Sequence, residues 1–227
     1  MLRAMTRAAP RKPAPKDKAR IAALFDRFAD TVVDPRTELT YDTPFTLLTA
    51  VVLSAQATDV SVNKATAKLY AVADTPQAMV ALGEAGVTPY IASIGLFRTK
   101  AKNVVALSRI LIEQHGGQVP LDRAALQALP GVGRKTASVV LNELNAEPAI
   151  AVDTHVFRVA HRLKLSSAKT PDKVEAELMA VIPAPRLTRA HHWLILHGRY
   201  VCVARKPKCG ACLIADLCPS REMFMGG

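Results

Sequence analysis

Long hydrophobic runs are missing from this sequence. So are acidic residues in its first sixteen positions, dispersed cysteines and any abundance of aromatic rings. No stretch approaches the roughly 20 uninterrupted apolar residues that a membrane-spanning helix requires. The greasiest segment, residues 45–57, already contains Thr46, Thr49, Ser54 and Gln56. A soluble protein is therefore expected. The 4 cysteines all fall between positions 202 and 218, and the sequence carries no signal-peptide pattern. Such clustering argues against an extracellular disulfide framework and for a metal centre in a reducing compartment. With 6 Phe, 4 Tyr and 1 Trp among 227 residues, the core is left to Ala, Val, Leu and Ile. Alternating runs of strand type are scarce as well, and residues 149–152 are the best candidate.

Positive charge, by contrast, is plentiful. Lys and Arg number 30 against 19 Asp and Glu, a formal net charge of +11. An excess of that size favours a polyanionic partner, either nucleic acid or an anionic membrane surface, although some compact proteins are simply basic. Residues 1–16 hold Arg3, Arg7, Arg11, Lys12 and Lys16 with no acid, which reads as a disordered basic arm. An organelle transit peptide is the alternative, but prolines at 10, 13 and 15 interrupt any amphipathic helix there.

The remaining pattern is helical. Thr-Pro pairs at 43–44, 75–76, 88–89 and 170–171 each precede an apolar-rich segment. Threonine supplies an N-cap oxygen, and proline at the first helical position forfeits no hydrogen bond. After Lys100, Val104, Leu107 and Leu111 fall on one face before Gly116-Gly117 stops the run. Further helices are expected near 18–30, 44–54, 59–71, 122–128, 134–146, 154–163, 172–181 and 187–198. The fold class is all-α, built from short packed helices.

Residues 129–136, Leu-Pro-Gly-Val-Gly-Arg-Lys-Thr, lie between two such helices. Gly131 and Gly133 permit a tight turn, and the helix that follows directs its unpaired N–H groups outwards. That arrangement suits a phosphate gripped by backbone, without base readout. A nucleotide-binding P-loop fails because Arg134 stands where glycine must precede the lysine. A dinucleotide fingerprint fails because no strand precedes and the third glycine is missing. A plain helix–helix turn remains the ordinary reading of two glycines. Lys135 shifts the balance: the positive end of the helix dipole and the adjacent Arg134 both disfavour a charge on it. An amine so placed suits Schiff-base chemistry, with a phosphate contact as the commoner role.

Downstream, Asp153 opens a helix in the run Val-Asp-Thr-His. It is an N-cap by type, and a carboxylate held there is also able to stabilise positive charge on a sugar or move a proton. His155 suits either a DNA contact or helix packing. Cys202, Cys209, Cys212 and Cys218 are spaced C-x6-C-x2-C-x5-C. Four thiolates so close suit zinc or a cubane iron–sulfur cluster, and the uneven spacing leans towards iron–sulfur. Between the first two cysteines, Arg205, Lys206 and Lys208 would present a basic loop to a phosphate backbone, or form a solvated loop.

The hairpin, the Val-Asp-Thr-His segment and the cysteine array, in that order, resemble the endonuclease III family of helix-hairpin-helix DNA glycosylases. So do Leu-Ser-Ala-Gln-Ala-Thr-Asp at 53–59 and His-Trp-Leu-Ile-Leu-His-Gly-Arg-Tyr at 192–200. The resemblance covers about residues 20–218. It implies two helical lobes flanking a DNA-binding groove: a six-helix domain over 37–147, and a discontinuous domain from 17–36 plus 148–220 that holds a [4Fe–4S] cluster. It matches Lys135 and Asp153 to the family's catalytic lysine and aspartate, and the cysteines to the cluster ligands. Gln56 and Leu96 match positions inserted into the duplex, and Gly131, Gly133 and Arg134 the backbone grip.

The activity implied is removal of oxidised pyrimidines from duplex DNA through a lysine Schiff base, followed by β-elimination 3′ to the abasic site. A monomeric bacterial enzyme, cytoplasmic and associated with the nucleoid, is implied with it. Two rivals stand beside this reading. An adenine-mismatch glycosylase would need a carboxylate in the early helix, and residues 51–56 contain none. A non-catalytic hairpin module with structural zinc would leave Lys135 and Asp153 incidental.

Overall fold

The computed structural model describes residues 15–33 and 35–225, so the basic arm expected over 1–16 lies outside the described residues up to position 14. Its last two residues are already helical: α1 (Pro15–Thr31) begins on a proline, at the one place in a helix where proline is harmless. Every regular element among the described residues is helical, and none is long and apolar enough to cross a membrane. The chain divides into two compact units. One comprises residues 36–148; the other joins the described residues up to 35 with residues 149 onward.

The 36–148 unit holds α2 (Pro44–Leu53), α3 (Asp59–Tyr70), α4 (Pro76–Ile91), α5 (Phe97–His115), α6 (Arg123–Gln127) and α7 (Arg134–Glu143). Helix α2 is buried at every position from Phe45 to Leu53, so it forms the axis on which α3, α5 and α7 pack. Its start is fixed by a reciprocal box: Thr43 Oγ1 accepts from Thr46 N at 3.1 Å, and Thr46 Oγ1 accepts from Thr43 N at 2.9 Å. The Tyr70 hydroxyl, at the end of α3, donates to Thr46 O at 2.8 Å and meets Thr49 Oγ1 at 2.8 Å. The buried polar groups of this apolar helix are thereby satisfied.

Two expectations are overturned, one in each unit. Thr88-Pro89 does not start a helix; it lies inside α4. The break falls earlier, at Gly83, whose φ of 66° and ψ of 173° no ordinary residue adopts, so the second half of α4 begins just after it. Thr88 Oγ1 instead donates back to Glu84 O at 2.7 Å, a local bond that a mid-helix threonine makes readily. Residues 149–152 are not a strand. No partner strand exists among the described residues, and Ala149, Ile150 and Ala151 are buried as irregular backbone, each at most 2% exposed.

The other unit comprises α1, α8 (Thr154–Arg162), α9 (Pro171–Val181), α10 (Leu187–Tyr200) and α11 (Glu222–Met225). Phe25 and Phe28 of α1 pack on Trp193 of α10, with ring centroids 6.3 Å apart in both pairs. The Trp193 indole N–H is satisfied by Val32 O at 2.9 Å. Helices α8 and α10 touch where Gly198 has no side chain: a Cβ there would lie 2.9 Å from His155 Cβ.

Candidate functional site

The hairpin between α6 and α7 is anchored from beneath by Leu129 and Val132, which are buried, while Gly131, Gly133, Arg134 and Lys135 are exposed. Gly131 has φ 80° and lies against Asn103 of α5 and Val52 of α2, where a Cβ would be 2.9 Å from Asn103 Nδ2 and 3.2 Å from Val52 Cγ1. Only glycine allows both the backbone turn and this approach. Gly133 caps α7 without a side-chain acceptor, so the first-turn N–H groups have no partner from the cap. Arg123 braces the turn, donating to Ser138 Oγ at 2.8 Å and to Glu147 Oε1 at 2.9 Å. The ammonium of Lys135 projects from the first turn of α7 with no hydrogen bond or ion pair among the described residues.

The two helices that touch Gly131 also carry the two expected insertion residues. Gln56 follows the end of α2 and Leu96 caps the start of α5. Both adopt left-handed backbone, at φ 55° and 60°, and both are exposed, Leu96 by 59%. A non-glycine residue held there costs about 1 kcal/mol, which a well-packed scaffold must offset. The turns are neighbours: a Cβ on Gly95 would lie 3.8 Å from Gln56 O. Within this unit, then, the hairpin, Gln56 and Leu96 are brought to one pair of helices.

In the other unit, Asp153 caps α8 by accepting from Val156 N at 2.7 Å through Oδ1. Its second oxygen has no partner among the described residues. His155 is half-buried and meets the Arg158 Nη2 at 3.3 Å. Arg158 in turn donates to Cys202 O at 3.0 Å and to Gly198 O at 2.7 Å. One turn further, Arg162 donates to Cys202 Sγ at 3.3 Å, Val203 O at 2.8 Å and Ala204 O at 2.9 Å. Helix α8 thus runs from the candidate carboxylate to the first cysteine. Sequence reasoning missed Asn103, Arg123, Arg158 and Arg162. The i, i+4 spacing of the last two was a usable signal, since it puts two cations on one helix face.

The four cysteines are unbridged, half-buried and line one pocket together with Arg162 and His197. Burial, opposed by backbone N–H groups and reinforced by neighbouring sulfurs, pushes the Cys212 and Cys218 thiols up. Thiolates gathered there need a positive group. Among the described residues no three His, Cys, Asp or Glu side chains are grouped so as to hold a single metal ion. A lone zinc would draw four sulfurs to about 2.3 Å from one point. Four cysteines lining one pocket are a donor set that an iron–sulfur cubane takes. Beside them His197 Nε2 lies 3.7 Å from Cys212 Sγ, and burial pushes this imidazole down to about 4. Arg205, Lys206 and Lys208 are exposed on the loop between the first two cysteines, which closes through Lys208 N to Val201 O at 3.0 Å.

Residues 49–184 match the HhH-GPD superfamily base excision DNA repair protein, and residues 202–218, from the first cysteine to the last, match the iron–sulfur binding domain of endonuclease III. The chain is 57% identical to endonuclease III of Escherichia coli strain K12 over 206 residues, covering 91% of this chain and 98% of the relative. Two solved structures are similar to it at 43% identity, each covering 92% of this chain. One is a trapped endonuclease III–DNA covalent intermediate in an estranged-adenine complex (TM-score 0.84, 98% of that chain covered). The other is a non-covalent endonuclease III–DNA complex (TM-score 0.85, 99% covered).

Proposed function

This chain belongs to the endonuclease III family of DNA-binding DNA glycosylase/AP lyases with a [4Fe–4S] cluster, and on that premise we propose that Lys135 is its nucleophile and Asp153 the carboxylate that assists it. The substrate is duplex DNA carrying an oxidised pyrimidine or an abasic site. The observation that carries this reading is the exposed, unpaired amine of Lys135 in the first turn of α7, directly after the glycine hairpin. The solution of a relative as a trapped covalent DNA intermediate supports it.

The hairpin's backbone N–H groups bind a phosphate of the damaged strand and set the register of the enzyme on the duplex. Gln56 and Leu96 occupy the space left when the damaged nucleotide leaves the stack, a step that costs least at a lesion that pairs poorly. The neutral amine of Lys135 then attacks the anomeric carbon, the glycosidic bond breaks, and the base departs with a proton. Asp153, with one oxygen committed to its cap and the other unpartnered, stabilises the positive charge that develops on the sugar. Opening of the sugar ring leaves an imine on Lys135. Loss of the adjacent sugar proton expels the 3′ phosphate, which cuts the strand on the 3′ side.

Cys202, Cys209, Cys212 and Cys218 hold the cluster, which when bound contributes folding energy and a fixed centre of charge. Arg205, Lys206 and Lys208 on the loop it pins contact phosphates, while His155 serves α8 packing or DNA. The domain roles follow: residues 36–148 carry the hairpin and nucleophile, and the discontinuous unit carries Asp153 and the cluster. The curated relative is bacterial, which supports a place at the nucleoid.

Borohydride trapping on a duplex with one thymine glycol tests the reading. A covalent adduct is expected from the native protein and none from Lys135→Gln. Base release by the native protein without any adduct would remove Lys135 from the mechanism.

A further inference from the structure

We infer that Arg162 and Phe224 form a clasp over Cys202 that retains the iron–sulfur cluster and sets its reduction potential. The inference rests on the reading that the four cysteines hold that cluster.

Three observations carry it. First, a single guanidinium from the last turn of α8 serves the whole backbone stretch that leaves Cys202: Nη1 donates to Val203 O at 2.8 Å and Nη2 to Ala204 O at 2.9 Å, while Nη1 also lies 3.4 Å from Cys202 O. The planar fork of arginine reaches consecutive carbonyls at once, which a lysine cannot do. Second, the same Nη1 is 3.3 Å from Cys202 Sγ, so a fixed cation donates to one of the sulfurs. A cubane bound by four thiolates carries net negative charge, and hydrogen bonds to its sulfurs raise its potential. Third, the Phe224 ring covers this guanidinium, 4.4 Å from centroid to Cζ.

Phe224 belongs to α11, which packs on the short turn Cys209–Ala211, and it lines the same pocket as the four cysteines. It stands six residues beyond Cys218, where the match to the iron–sulfur domain ends. The C-terminal helix therefore closes the pocket from outside and holds Arg162 against the sulfur. Arg162 is a positioning residue: it touches a ligand and the loop, not the DNA sugar.

The test uses the holoprotein as purified, mixed with a ferrous chelator while the visible iron–sulfur absorbance is followed. Loss of one cation–aromatic contact at a partly exposed site predicts that Phe224→Ala bleaches about two- to fivefold faster than native. Phe224→Tyr keeps the aromatic face and should bleach at the native rate, and Phe224→Leu, which keeps the apolar bulk without the ring face, should follow Ala. Arg162→Lys keeps the charge but loses the fork. Its potential, read by voltammetry, should move to more negative values, which a purely structural role would not produce. Equal bleaching of native and Phe224→Ala proteins with full iron content would overturn the clasp. Native protein isolated without iron would overturn the cofactor reading instead, and the clasp with it.

Discussion

Asn103 and Gly131 are in contact across the hairpin, so that a Cβ built on Gly131 would sit 2.9 Å from the Asn103 amide nitrogen and 3.1 Å from Asn103 Cβ. Asn103 is held by the helix that begins at Leu96, and Val52 blocks the other side at 3.2 Å. The added methyl has nowhere to go, and φ of 80° strains it independently. Gly131→Ala should therefore lose about 2–4 kcal/mol of stability, from backbone strain plus overpacking. Gly133 looks equivalent in the sequence yet differs: its φ is −86° and nothing lies within 4 Å of its missing Cβ. Gly133→Ala should cost less than about 1 kcal/mol. It should still weaken DNA binding, because the methyl occupies the space a phosphate would fill. Urea unfolding and a DNA titration on both variants check this, and equal stability losses would show that the hairpin is not packed as described.

Asp153 has two separable duties. The cap requires only an acceptor for Val156 N, which asparagine also supplies. Charge stabilisation at the sugar requires the carboxylate. Asp153→Asn is thus expected to keep native stability within a few tenths of a kcal/mol while base release falls by about two orders of magnitude. Asp153→Ala should lose the activity and about 1 kcal/mol of stability as well. Thermal unfolding paired with a single-turnover glycosylase assay distinguishes them. An active Asp153→Asn would leave capping as the residue's whole role.

The helix starts at Thr43, Thr75 and Asp153 were legible in the sequence because N-cap chemistry is local: the oxygen and the N–H it serves lie three residues apart. Thr170 occupies the cap of α9 without making the bond, so the residue type marks the boundary even where the contact is absent. The Thr88-Pro89 start was misread because Gly83, five residues upstream, had already broken the helix. The 149–152 run was misread because burial, not pairing, accounts for its apolar character. At the site, the glycines, Lys135 and the cysteine spacing were visible as residue types. The left-handed backbone of Gln56 and Leu96 was not, since nothing in those side chains announces it. Nor was the pairing of Arg162 with Cys202, 40 residues further along the chain; such pairs exist only once the chain has packed.

Glu177 provides a prediction in pH. Its Oε2 accepts from Ser166 Oγ at 2.6 Å and from Ser167 N at 3.0 Å, tying α9 to the turn that leaves α8. The Ser166 hydroxyl, helped by backbone N–H groups and opposed by burial, holds this carboxyl below its ordinary 4.5. In the unfolded chain those donors are lost and the ordinary value returns. The folded state thus binds fewer protons than the unfolded one. The stabilisation is fully present above the ordinary carboxylate range and disappears as pH falls through the lower folded value. Glutamine still accepts from Ser166 but carries no charge, so Glu177→Gln removes the ionic part of the contact alone. Because the carboxylate is partly exposed, that part is worth only about 1 kcal/mol at neutral pH. Urea unfolding of both proteins should show a gap that is constant at neutral pH, begins to narrow near the ordinary carboxylate value and closes as pH falls through the lower folded one. A gap that stays constant would mean that the carboxylate is not held by these donors, and that the turn after α8 is fixed by the buried Leu165 and Ser166 instead.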